Sequence, residues 1–267
     1  MWHRSDNTRL STLLLVLVLA LGLTLTGCSD DDDDNDNPTG PGGSTEFDEA
    51  FAVQQSQFLV TSVISQMGNL ESFAGGISPK ADDIYTWGWV DDPGRWEGSY
   101  SGTYEGFTSS FSVWLQYLDV LGDPQQEPLG AASMAYHLES TMSGSESGEG
   151  YSYSLDFEYL QNYSVVGLGT DELLANGDGT TSIDYSYNSD GNSGTASYGV
   201  SWEILSPGIV IPVGGCPTGT MELTMAPFTV TVVFDGTDTA TYTMRNGSTI
   251  IPSGSGTQYL GCGMVGK

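Results

Sequence analysis

Phe107-Thr108-Ser109-Ser110-Phe111-Ser112-Val113-Trp114-Leu115-Gln116-Tyr117 places Phe107, Phe111, Val113, Leu115 and Tyr117 on one side of an extended chain. Thr108, Ser110, Ser112 and Gln116 fall on the other. A period of two is the mark of a strand with one face buried and one face wet. The same rhythm recurs in Met134, Tyr136 and Leu138, and again in Tyr153, Leu155, Phe157 and Tyr159. It returns in Ile183, Tyr185 and Tyr187, in Tyr198, Val200, Trp202 and Ile204, and in Met221, Leu223 and Met225. Phe228, Val230, Val232 and Phe234, then Ala240, Tyr242 and Met244, complete the series. Between these runs stand Asn176-Gly177, Asp178-Gly179, Asp190-Gly191, Asp235-Gly236 and Asn246-Gly247, dipeptides suited to tight hairpins. The pattern predicts a mainly β domain, an antiparallel meander of about 10–12 strands forming a barrel or a strongly curved sheet. Residues 171–176 read as one helical turn leading into a loop at Gly177 and Gly179.

Ahead of the strands the period is 3.6. Ala52, Val53, Leu59, Val60, Val63, Ile64 and Met67 form one stripe of a helix expected over 47–67, with Phe47, Phe51 and Phe58 on its opposite side. Thr45 with Asp48 makes a capping box at its start. A helix apolar on two sides has two surfaces to touch, so it is either sandwiched between sheet and loop or set as a lid.

The N-terminus is of another kind. Arg4 and Arg9 precede residues 13–25, which carry no charge. That apolar run is short of the roughly 20 residues a spanning helix needs and matches a secretory signal peptide. It ends in Leu25-Thr26-Gly27-Cys28, which resembles the bacterial lipobox. The resemblance implies a signal peptide over 1–27, cleavage before Cys28, acylation of that cysteine, and attachment to a membrane through acyl chains. The partners it implies are the lipoprotein processing and sorting machinery. Residues 28–45 hold Asp30, Asp31, Asp32, Asp33 and Asp34 and then a Gly-Pro run, a composition with nothing to bury that is read as a tether. The acidic cluster behind the cysteine is similar to the export signal of Bacteroidota-type surface lipoproteins. The place after Cys28 holds Ser29, not the Asp of inner-membrane retention. Both resemblances imply the outer membrane, with surface exposure as an expectation, and leave 46–267 as the folded domain.

With Cys28 committed to lipid, Cys216 and Cys262 remain, an even pair in a compartment outside the cytoplasm. They read as a disulfide; two free thiols or two metal ligands are the alternatives. The chain carries a formal charge of −28. Beyond the signal segment its only basic side chains are Lys80, Arg95, Arg245 and Lys267. Such a surface repels phosphate backbones, which excludes nucleic acid as a partner.

Chemistry is sparse in the residues. After cleavage the single histidine is His137, read as a surface side chain paired with Glu139; no Gly-x-Ser-x-Gly elbow accompanies it. The paired acids Asp82-Asp83, Asp91-Asp92, Glu97 with Glu105, and Asp156 with Glu158 are read as solvated charge. Turns such as 176–180 and 235–238 carry oxygen ligands but lack a complete calcium loop. No catalytic or metal-ligating residue is assigned, and calcium is the one cofactor worth testing.

Aromatic side chains are the remaining signal. Tyr85, Trp87, Trp89, Trp96, Tyr100 and Tyr104 alternate along two runs joined by Asp91-Asp92-Pro93-Gly94. If the runs pair, their rings form one surface, with Gly98 and Gly102 leaving grooves between them. Rings with polar handles suit amphipathic ligands; filling the domain interior is the competing role. The expected function is a non-catalytic envelope lipoprotein that binds an apolar or amphipathic small molecule, similar in general design to lipocalin-like barrels. A surface structural, adhesive or glycan-binding protein, or a secreted hydrolase, are the alternatives.

Overall fold

The computed structural model describes Glu49, Ala52, Val53 and residues 86–262, apart from Glu105, Asp190 and Gly191. All belong to the compact unit Gly40–Lys267. The expected signal segment, Cys28, the expected tether and Tyr85 lie outside the described residues. So does most of the helix expected over 47–67; Glu49, Ala52 and Val53 are helical.

Thirteen strands follow: β1 (Thr86–Val90), β2 (Arg95–Tyr104), β3 (Phe107–Leu118), β4 (Pro124–Gln125), β5 (Ser133–Gly148), β6 (Tyr151–Val166), β7 (Glu172–Ser189), β8 (Asn192–Ile204), β9 (Ile209–Pro212), β10 (Thr218–Met225), β11 (Phe228–Asp235), β12 (Thr239–Asn246) and β13 (Thr249–Tyr259). They form one antiparallel meander in the order β1-β2-β3-β5-β6-β7-β8-β10-β11-β12-β13. β4 is a short addition to β3, and β9 bridges β7 and β10. The pairing path ends at β1 and β13, which do not pair with each other among the described residues.

Every run with period two has become a strand, and the register puts the apolar sides on one face. Leu115, Tyr136 and Tyr163 stand in one cross-strand row, and Trp202, Leu223, Val230, Met244 and Ile251 in another. Both rows belong to a single buried cluster that joins β3, β5 and β6 to β10–β13. A single sheet whose two halves share one core must turn its apolar face onto itself. Ala52 is fully buried in that core. Glu49 Oε1 accepts a hydrogen bond from Ser253 Oγ at 3.2 Å. The opposite face is paved with hydroxyls that meet in pairs across strands, such as Ser110 with Thr141 at 2.8 Å and Ser154 with Ser186 at 2.7 Å.

Two expectations are overturned. Asn176-Gly177-Asp178-Gly179 is not a turn and 171–176 is not helical. Glu172–Ser189 is one uninterrupted strand. Asx-Gly pairs favour turns only through local preference, and here pairing on both sides of β7 overrides it. The glycines serve close approach instead. Gly177 lies directly opposite Tyr163 and Gly179 opposite Trp202. A Cβ on Gly179 would meet the Trp202 ring and come within 2.8 Å of the Leu160 carbonyl oxygen. The two rings lie over the glycines with centroids 5.1 Å apart. Because 176–180 is extended, the oxygen-rich loop envisaged there for calcium does not exist.

Cys216 and Cys262 form a disulfide with Cα atoms 5.2 Å apart. It ties the segment before β10 to the end of the chain after β13. On the chain-entropy argument a loop of this length stabilises the fold by about 4 kcal/mol at most.

Candidate ligand-binding site

The hairpin β1–β2 is built as the sequence suggests, turning through residues 91–94, with Gly94 N–H donating to the Val90 carbonyl at 2.9 Å. Its register sets Trp89 directly opposite Trp96 and Trp87 opposite Gly98. Trp87 stacks on Trp96 with centroids 6.1 Å apart, and Trp89 meets Trp96 edge-on at 5.9 Å. Three of the proposed aromatics are therefore one cluster. Tyr100 lies further along β2 and stacks on Phe111 of β3 at 6.1 Å. Tyr104 closes the strand, and its side chain is outside the description. The grooves expected at the glycines are filled. A Cβ on Gly98 would meet the Trp87 ring, and one on Gly102 the ring of Tyr100.

The three indole N–H groups differ in fate. Trp89 Nε1 donates to Asp91 Oδ1 at 2.9 Å. Trp96 Nε1 donates to the Gln126 carbonyl oxygen at 2.9 Å, which draws the β3–β5 connection over the hairpin. Trp87 Nε1 is buried and has no hydrogen-bond partner among the described residues. Burying such a donor unpaired costs about 1–3 kcal/mol, so this point of the cluster offers a hydrogen bond that the described protein does not use. Trp87 and Trp96 also pack against the main core, which gives the cluster a rigid floor.

On the wet face, His137 is not paired with Glu139 as expected. Its Nδ1 lies 2.7 Å from Asn162 Oδ1, and Asn162 Nδ2 donates to Asp178 Oδ2 at 3.0 Å. With its amide nitrogen engaged, Asn162 presents oxygen to the ring, so a neutral His137 carries its proton on Nδ1. The ring stacks on Trp114 at 5.6 Å and 12°. Arg95 covers Trp114 from the strand on its other side, 4.8 Å from the ring centroid, while bonding Glu97 at 2.7 Å. This column across β2, β3, β5, β6 and β7 depends on register, because its members are far apart in sequence. Trp114 and Asn162 carry no mark of this role in the sequence, and Asp178 is read there as a turn residue.

The remaining acids are dispersed. Asp91, Asp92, Asp156 and Glu158 are exposed, and Asp82, Asp83 and Glu105 lie outside the described residues. Asp156 stands opposite Asp184 in an open depression of about 650 Å³ that it shares with the hydroxyls of Ser143, Ser154, Ser186 and Ser197. Asp235 is held below the usual carboxylate range by hydrogen bonds from the Thr237 side chain and backbone, so its turn is satisfied locally. No three His, Cys, Asp or Glu side chains converge to hold a metal among the described residues. Comparison with protein-family models, curated proteins and solved structures finds no match to this chain.

Proposed function

We propose that this chain is a cell-envelope lipoprotein, anchored in the outer membrane through acyl chains on Cys28, whose sheet domain binds an apolar or amphipathic small molecule without transforming it. The observation that carries the binding role is the buried Nε1 of Trp87, without a partner among the described residues, inside a three-tryptophan cluster. Aromatic faces supply apolar contact area, and a donor left open selects a ligand that carries an acceptor. An amphipathic molecule meets both requirements.

The test is a Trp87→Phe variant of the full-length protein, with co-purified ligand read by native mass spectrometry and affinity by tryptophan fluorescence. Phenylalanine keeps most of the ring and removes the N–H. Ligand affinity should fall by a few-fold to about tenfold, the worth of one hydrogen bond, with thermal stability unchanged or slightly raised. A variant that loses stability, from a protein that never carries a ligand, would make the cluster core packing only. The anchor is tested separately: Cys28→Ser should release the protein from membranes, because acyl burial supplies most of its membrane affinity.

A further inference from the structure

We infer that the loop-bearing end of the sheet, where the β3–β5 connection sits, is a docking surface for a protein whose apolar recess is ringed by Lys and Arg side chains. The loops at this end are joined to one another in sequence around the rim. Gly94 abuts Pro124. The Ala132 carbonyl accepts from Gly167 N at 2.9 Å and Leu168 N at 3.0 Å. The Asp171 carbonyl accepts from Val213 N at 2.9 Å, Pro217 from Gly236 N at 2.9 Å, and Asp238 from Leu260 N at 2.8 Å.

From this rim the most exposed aliphatic side chains among the described residues project. Leu129 is 92% exposed, Val120 84%, Leu121 82%, Val213 64% and Val166 52%. Their presentation is built. Asp119 Oδ1 accepts from the backbone N–H of Leu121 at 2.8 Å and of Asp123 at 2.9 Å. Asp119 N–H also donates to the Asp123 carbonyl at 3.0 Å. A loop held this firmly cannot fold Val120 and Leu121 inward, so both stay available to a partner.

Charge selects the partner. The same loops carry Asp91, Asp92, Asp123, Glu127, Asp171 and Asp238, and residues 91–94, 119–132, 167–171, 213–217, 236–238 and 260–262 contain no Lys or Arg. Anionic lipid headgroups are repelled by such a rim, and so is a second copy of it. Exposed aliphatic side chains interspersed with acids on the same loops are complementary to an apolar recess bordered by basic side chains.

The experiment places a photo-reactive benzoylphenylalanine at Val120, Leu129 or Val213 of the full-length protein in the cells that produce it. The same group at Ser201, exposed on the wet face, serves as control. Irradiation should give a discrete adduct with another protein from the rim positions and none from Ser201. Peptide mapping should find Lys and Arg around the attachment point. The Val120 adduct should fall at least tenfold on adding Leu129→Asp, and several-fold at ionic strengths where the Debye length is well below about 8 Å. Both changes should leave the melting temperature unaltered. Adducts with lipid, adducts between two copies, adducts indifferent to Leu129→Asp and to salt, or no adduct from any rim position would each overturn the inference.

Discussion

The strands β10–β13 and the hairpin β1–β2 stand on one core and are finished differently. In the first region Met221, Leu223, Met225, Val230, Val232, Ala240 and Met244 are fully buried. They are aliphatic or thioether side chains without a hydrogen-bonding group that needs a partner. In the second, Trp87, Trp89, Trp96 and Tyr100 are half-buried, and each brings a polar handle. The aliphatic half is closed, and its contribution is stability. The aromatic half keeps a buried indole N–H at Trp87 that has no partner among the described residues. Binding roles arise where packing leaves polar capacity unused, and in this hairpin that capacity is the Nε1 of Trp87.

Truncation gives the largest test of this contrast. Leu223→Ala should cost about 3–5 kcal/mol by urea unfolding, because its row cannot collapse around the void. Trp89→Ala removes more atoms yet should cost only about 1–2 kcal/mol, since much of its surface is already in contact with water. Equal losses would mean the aromatic half is as closed as the aliphatic one.

Reduction of Cys216–Cys262 comes next, with a loss of about 4 kcal/mol at most. The melting temperature should fall while the far-ultraviolet signature of the sheet persists, because the bridge joins the closed half at its rim and leaves the strand pairing intact. Loss of the β signal on reduction would show that the core of β10–β13 does not stand without its bridge.

Gly179→Ala sharpens the boundary between the halves, where Trp202 lies over β7. The added methyl must displace the ring, at about 1–3 kcal/mol. Gly199→Ala, whose Cβ would meet the Thr181 carbonyl oxygen at an easy 3.8 Å, should be neutral or stabilise by about 0.5–1 kcal/mol. Identical effects would separate the glycine from the ring it accommodates.

The smallest effect per residue is alkaline. Burial raises the hydroxyls of Tyr117, Tyr136, Tyr153 and Tyr163 above their ordinary value. Tyr198 is pushed up to about 12, by burial first and by Tyr185 second. The fold therefore holds more protons than the unfolded chain at high pH. The stability tied to these groups is fully present below the unfolded value near 10 and is lost as pH rises through the folded values. Urea midpoints measured between about pH 10 and 12 should fall steadily. A flat profile would mean these rings are as wet as those of an unfolded chain.

Legibility differed by element for physical reasons. The strands from Phe107 onward could be read because burial of one face enforces alternation, whatever the partner strand is. The hairpin at Asp91-Asp92-Pro93-Gly94 and the shared face of its aromatics were legible because the turn and both strands are contiguous. Asn176-Gly177-Asp178-Gly179 was misread, since nothing local tells a turn glycine from one lying under a ring that arrives from another strand. His137 was assigned to Glu139, two residues away, while its partner Asn162 comes from the next strand.

By itself, then, the sequence determined the β class, the direction each strand faces and the acidic surface, and it offered Cys216 and Cys262 as an even pair that the structure joins. These follow from periodicity, parity and charge, which are properties of the chain. Tertiary structure decided that the meander is open along its described pairing path. It also decided which glycines are covered by rings, which indole has no partner among the described residues, and which loops meet to form a rim. Those depend on register and on contacts between residues distant in the chain, and free energy of that kind exists only once the strands are in place.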